Sequence, residues 1–123
     1  MGLSIDVDPS ASPRSIPASG DAVTVSFQVS GVPGKTRLKT IYRIPNDVPY
    51  VFSPQNIKEV ERGPVDVPKG GVTIKNRLTL KKSPPSGPRQ EFVPIGVTLQ
   101  EVDDAGTVVD TQEAPAVLVD IEK

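Results

Sequence analysis

Between Val93 and Leu99 every second residue is apolar: Val93, Ile95, Val97 and Leu99 alternate with Pro94, Gly96 and Thr98. A period of two places all four side chains on one face of an extended chain, the pattern of a strand with one face buried. Asp103, Asp104, Ala105 and Gly106 follow. Aspartate bonds its own backbone and glycine accepts a positive φ, so the chain reverses there as a hairpin. Val108 and Val109 begin the return, Ala114 and Pro115 are expected to interrupt it, and Val117, Val119 and Ile121 make a final strand. A chain holding this stretch must bury one face of a sheet.

The rest of the sequence repeats the pattern. Leu3, Ile5 and Val7 alternate in a short first strand that Pro9 is expected to end, and Pro9 to Gly20 reads as a linker that crosses an edge or changes sheets. Val23, Val25, Phe27 and Val29 form a second strand, closed by Gly31 to Gly34. Lys35 to Ile44 is a third, and Tyr50 to Phe52 a short edge segment among three prolines. Ile57 to Val60 is expected to pair briefly or to make one helical turn, and Gly63 to Gly71 to be a connection. Val72 to Leu80 is another long strand, and Lys82 to Arg89 a proline-rich loop.

Composition supports this. Valine and isoleucine total 26 against 12 for alanine and leucine, an excess that packs well on a pleated sheet. At 123 residues the chain fits one domain with its own core. The expected fold is all-β: an antiparallel sandwich of about seven strands, with turns between them and no convincing helix.

The order of elements resembles a bacterial immunoglobulin-like or fibronectin type III-like sandwich. The resemblance rests on AVTVSFQVSG at Ala22 to Gly31, VTIKNRLTL at Val72 to Leu80 and the hairpin VTLQEVDDAGTVV at Val97 to Val109. It implies an immunoglobulin-like β-sandwich. The chain lacks the cysteine pair and core tryptophan of antibody domains, and Tyr42 stands near the tryptophan's place.

With no cysteine and no histidine, the chain holds no disulfides, thiolate or imidazole zinc sites, thiol nucleophiles or histidine triads. No nucleophile elbow or phosphate-binding glycine loop is present, so an enzyme is not expected, nor is a cofactor. Glu101, Asp103, Asp104 and Asp110 lack the spacing of an EF-hand and read as turn residues. No run approaches the roughly 20 apolar residues that span a bilayer, so membrane insertion is not expected.

The charges are segregated although the net charge is only −1. Lys35 to Arg89 holds twelve bases against four acids, whereas Gln90 to Glu122 holds eight acids and no base. The candidate interaction surface is therefore Arg37, Lys39, Arg43, Lys75 and Arg77 together with Glu101, Asp110, Glu113 and Asp120. Such a division either docks a protein partner, a second copy of the chain included, or pairs basic and acidic strands across one sheet. The same bases could meet nucleic acid, but few aromatics accompany them and the net charge is not positive, so no nucleic-acid partner is expected. The expected function is a non-catalytic structural or protein-interaction module, such as a unit of a bacterial surface, appendage or phage-like assembly. The alternative is a glycan- or peptide-binding module that uses the loops at 46–55 and 83–89, with Tyr50 and Phe52 as the ligand-facing aromatics.

Overall fold

The computed structural model describes residues 3–31, 37–68 and 70–122. Nine strands form two sheets: β1 (Ser4–Ser12), β2 (Ser15–Ile16), β3 (Ala22–Ser30), β4 (Arg37–Arg43), β5 (Tyr50–Phe52), β6 (Glu59–Asp66), β7 (Val72–Lys82), β8 (Phe92–Val102) and β9 (Val108–Ile121). One sheet has the order β1-β3-β7-β5 and the other β2-β9-β8-β4-β6. Every ladder is antiparallel except that between β2 and β9.

The alternating residues face inward from both sheets. Val23, Val25, Phe27 and Val29 of β3 and Ile74, Leu78 and Leu80 of β7 meet Leu38 and Tyr42 of β4, the four apolar residues of β8, and Val117, Val119 and Ile121 of β9. Burying each such aliphatic side chain is worth about 1.5–3 kcal/mol, so the alternation in sequence is the main force holding the sheets together. One polar bridge crosses this core: the Asn76 side-chain amide donates to the Tyr42 hydroxyl at 2.7 Å. It explains the break in the apolar phase of β7 at Asn76, which a polar partner allows to sit between the sheets.

All-β architecture holds, with nine strands where about seven are expected. The additional strands come from segments that glycine and proline mark as connections. Pro9 does not end the first strand: β1 continues to Ser12 through two register shifts, and Pro9 is tolerated because β1 is an edge. The chain then changes sheets, and Ser15–Ile16 pairs with Asp120–Ile121. Gly63 to Asp66 belongs to β6 and is not a loop, since Gly63 takes φ +89° at an irregularity opposite Leu38–Thr40 and Pro64 lies on the sheet edge. The Ile57–Val60 segment contributes the start of that strand, with no helical turn. Ala114–Pro115 does not interrupt β9. A bulge opposite Gly96 absorbs it, and the strand runs unbroken to Ile121.

The Asp103–Gly106 reversal forms as expected. The Asp103 carboxylate accepts from the Ala105 and Thr107 amides, each at 2.9 Å, and Gly106 takes φ +84°. Lys35, the start of the third expected strand, and Val32 to Gly34 lie outside the described residues, as does Lys69.

Candidate interaction surfaces

The candidate residues divide between the two sheets. On β4, Arg37, Lys39 and Arg43 point away from the core and stand beside β6. Arg43 donates through Nε to Glu59 at 2.8 Å, and Lys39 Nζ lies 3.5 Å from Glu61. Arg37 is in register with Asp66. Both ion pairs are solvent-exposed and contribute at most about 1 kcal/mol each, but they occupy these cations.

The basic strand β4 does lie beside the acidic hairpin, as one reading of the charges expects, but among the described residues no ion pair joins them. On its other side β4 meets β8, where Lys39 faces Gln100, Arg43 faces Gly96 and Arg37 faces Val102. Glu101 falls opposite Leu38, one residue out of phase with the cations. Lys39 and Arg43 of β4 therefore pair with β6, whose acids the sequence places within the basic half of the chain.

Lys75 and Arg77 lie on the other sheet. They project from the outer face of β7, exposed, in register with Ser26 and Thr24 of β3. Among the described residues neither has a carboxylate within ion-pair distance. The structure thus does not bring the five candidate cations onto one surface.

The acids follow the hairpin. The Glu101 carboxylate accepts from the Leu3 amide at 3.3 Å and ties the start of β1 to the far end of β8. Glu113 accepts from the Thr98 hydroxyl at 2.9 Å, and Asp110 from the Thr111 amide at 3.0 Å. Asp110, Glu113 and Asp120 are exposed along β9.

On the side facing away from β8, β9 is hydrogen-bonded only at its end, by β2 at Asp120–Ile121, while Pro9 to Ala11 of β1 line a cleft with Ala116 to Leu118. From Val108 to Leu118 no described residue forms a ladder with that edge. β1 passes nearby in the other sheet without pairing to it. Val108, Val109 and Leu118 are 42%, 55% and 55% exposed along this strand. Sequence reasoning found this strand but not its free side, because strand order is not legible in the alternation of one segment.

Tyr50 and Phe52 form no ligand platform. They are 1% and 2% exposed, and the Tyr50 hydroxyl donates to the Ala18 carbonyl at 2.5 Å, with burial raising its pKa. Their β5 strand pairs with Leu80–Lys82 of β7, so the aromatics serve the core. The loop at 83–89 packs back on the same region, with the Ser83 amide donating to the Pro49 carbonyl at 3.0 Å.

Lys58 organises the 45–50 segment, and nothing in the sequence singles it out. Its ammonium donates to three carbonyls, those of Pro45 at 3.2 Å, Tyr50 at 2.6 Å and Val48. Desolvation pulls its pKa below the usual 10.5, opposed by Asp47. Lys58→Met removes a charged donor from all three carbonyls, although those of Pro45 and Val48 keep the Val48 and Tyr50 amides, and is expected to lower stability by about 1–3 kcal/mol, read from chemical denaturation. An unchanged midpoint would show that the three contacts carry no net weight.

No protein-family model matches the chain, and no curated protein matches it. Among solved structures it is similar to the alkylpurine DNA glycosylase AlkC of Pseudomonas fluorescens, in a complex with DNA containing an abasic-site analogue. Identity is 12%, the TM-score is 0.48, and the match covers 98% of this chain and 30% of the glycosylase. The chain therefore spans under a third of that protein's length. A likeness at that level carries no argument about activity or ligand.

The expectation that nucleic acid is not a partner is corrected on the geometry of the charges, beside a comparison whose DNA-bound neighbour lends that expectation no support. The physical fault lies in its premise. Net charge averages over the molecule, whereas the structure places Lys75 and Arg77 on a face separate from the acidic hairpin.

Proposed function

We propose that this chain is a non-catalytic, immunoglobulin-like structural or protein-interaction module that presents the open side of β9 to an extended segment of another protein. The observation that carries this reading is the unpaired edge from Val108 to Leu118, eleven residues of the longest strand in the fold. Such an edge offers backbone donors and acceptors to an added strand, while neighbouring side chains select its sequence. The other edges are less suited. β5 has three residues, and Pro64 and Pro9 leave β6 and β1 no proline-free run longer than five; β9 also carries a proline and two register shifts, but Val108 to Ala114 is a proline-free run of seven.

Strand order supports the immunoglobulin-like part. β1-β3-β7-β5 against β9-β8-β4-β6 follows the A-B-E-D and G-F-C-C′ neighbours of immunoglobulin sandwiches. The chain order departs from theirs at one place: β5, in the D position, precedes β6, in the C′ position.

Selection from a random peptide library displayed on phage tests the reading. Peptides recovered on the wild-type chain are expected to shift amide resonances of Val108 to Leu118 and to lose binding to Val109→Lys and Thr111→Pro, two changes that obstruct an edge. Selected peptides that map elsewhere, or that bind both variants as well as wild type, would count against β9 as the contact edge.

A further inference from the structure

The outer face of the four-stranded sheet has a composition unlike the rest of the molecule. β7 projects Thr73, Lys75, Arg77, Thr79 and Lys81 from it, all exposed. β3 adds Thr24, Ser26 and Gln28, and β1 adds Ser10 and Ser12 beside them in register. β3, β5 and β7 contain no acid, and Asp6 and Asp8 lie on the outermost strand, β1. Lys75, Arg77 and Lys81 have no ion-pair partner among the described residues, in contrast to Lys39 and Arg43 on the opposite sheet.

We infer that this face binds the phosphate backbone of a nucleic-acid duplex, without reading its sequence. The cations run along one strand, so Lys75 to Lys81 spans about 20 Å, enough to follow several successive phosphates. Hydroxyls of Thr24 and Ser26 stand next to Arg77 and Lys75, and phosphate oxygens take hydrogen bonds from such mixtures of arginine, lysine, serine and threonine. An acidic protein is the lesser fit, because protein interfaces are built around apolar and aromatic cores. The two central strands project none here, and the exposed apolar residue nearby, Val7, sits on the edge strand. A single strand is also the lesser fit, since no aromatic side chain on this face offers a stacking platform.

Fluorescence anisotropy with a short labelled duplex tests the inference. Binding at low ionic strength is expected, with the logarithm of the association constant falling against log salt at a slope of about −3, the value for three phosphate contacts. The double variant Lys75→Glu, Arg77→Glu is expected to lose at least about tenfold in affinity and most of that slope. Lys39→Glu, on the other sheet, is expected to bind as wild type does, and thermal melts establish that each variant is folded. Absence of salt-dependent binding, or full binding by the folded double variant, overturns the inference. Tighter binding of single-stranded DNA, polyglutamate or heparin than of the duplex overturns its assignment to a duplex backbone.

Discussion

Tyr42→Ala is expected to destabilise the fold by about 3–5 kcal/mol, enough to threaten folding of a domain this size, with chemical denaturation as the measurement. Tyr42 is fully buried between the sheets, so removing its ring opens a cavity and leaves the Asn76 amide without its partner. Tyr42→Phe separates the two effects. It keeps the ring and should cost about 1–3 kcal/mol, the price of one unsatisfied buried donor.

The same pair gives a pH signature. Burial pushes the Tyr42 pKa up to about 12 from 10.0, against the smaller opposing effects of the Asn76 hydrogen bond and the Arg62 charge. The unfolded chain therefore releases the phenolic proton first. Stability from this group is complete below pH 10 and declines as pH rises through 10 towards 12, by roughly 2–3 kcal/mol. Tyr50, whose pKa is also raised, acts in the same direction. Lys58, whose pKa is lowered, acts in the opposite one, its contribution rising up to pH 10.5. The difference between wild type and Tyr42→Phe isolates Tyr42. If the two lose stability in parallel between pH 10 and 12, the phenol is not the titrating group.

Gly20→Ala is the second severe change. Gly20 lies where the chain returns from β2 to β3, with φ +107° and its amide donating to the Pro17 carbonyl at 2.9 Å. An added Cβ would sit 2.1 Å from the Leu80 carbonyl oxygen, a backbone atom that cannot swing aside. Around it the Ser19 and Asp21 carbonyls accept from the Lys82 and Leu80 amides, so β7 would have to shift with the clash. Positive φ and overpacking together are expected to cost about 3 kcal/mol or more. Gly106→Ala is the informative comparison. Its φ is also positive, +84°, but nothing lies within 4 Å of the added Cβ. A loss at Gly20 no larger than at Gly106 would show that close approach to β7 contributes nothing.

The core and the long strands were legible because burial has the period of the strand: Val23 to Val29 and Val93 to Leu99 face inward residue for residue. Edges were not. Pro9, Gly63 and Pro115 signal breaks locally, yet each is absorbed by a bulge or an open edge once neighbouring strands hold the rest. Register was illegible for the same reason. Whether Gln100 or Glu101 meets Lys39 depends on a one-residue phase between strands about sixty positions apart, and that phase decides whether basic and acidic strands pair. The candidate surface read from charge therefore divided in three: cations beside β6, cations free on β7, and acids on the β8–β9 hairpin. Tyr50 and Phe52 misled because a loop rich in proline looked exposed, whereas Lys58 draws its carbonyls down onto the core.

The central claim is that β9 has an open side able to receive a strand, and amide hydrogen exchange resolved by residue tests it most directly. In the free chain, amides of Val108 to Leu118 that face away from β8 are predicted to exchange rapidly while those of β4 and β8 are protected. A peptide selected on the wild-type chain is predicted to slow the same amides. Protection of that edge in the free chain, or none gained with the peptide bound, would contradict the account.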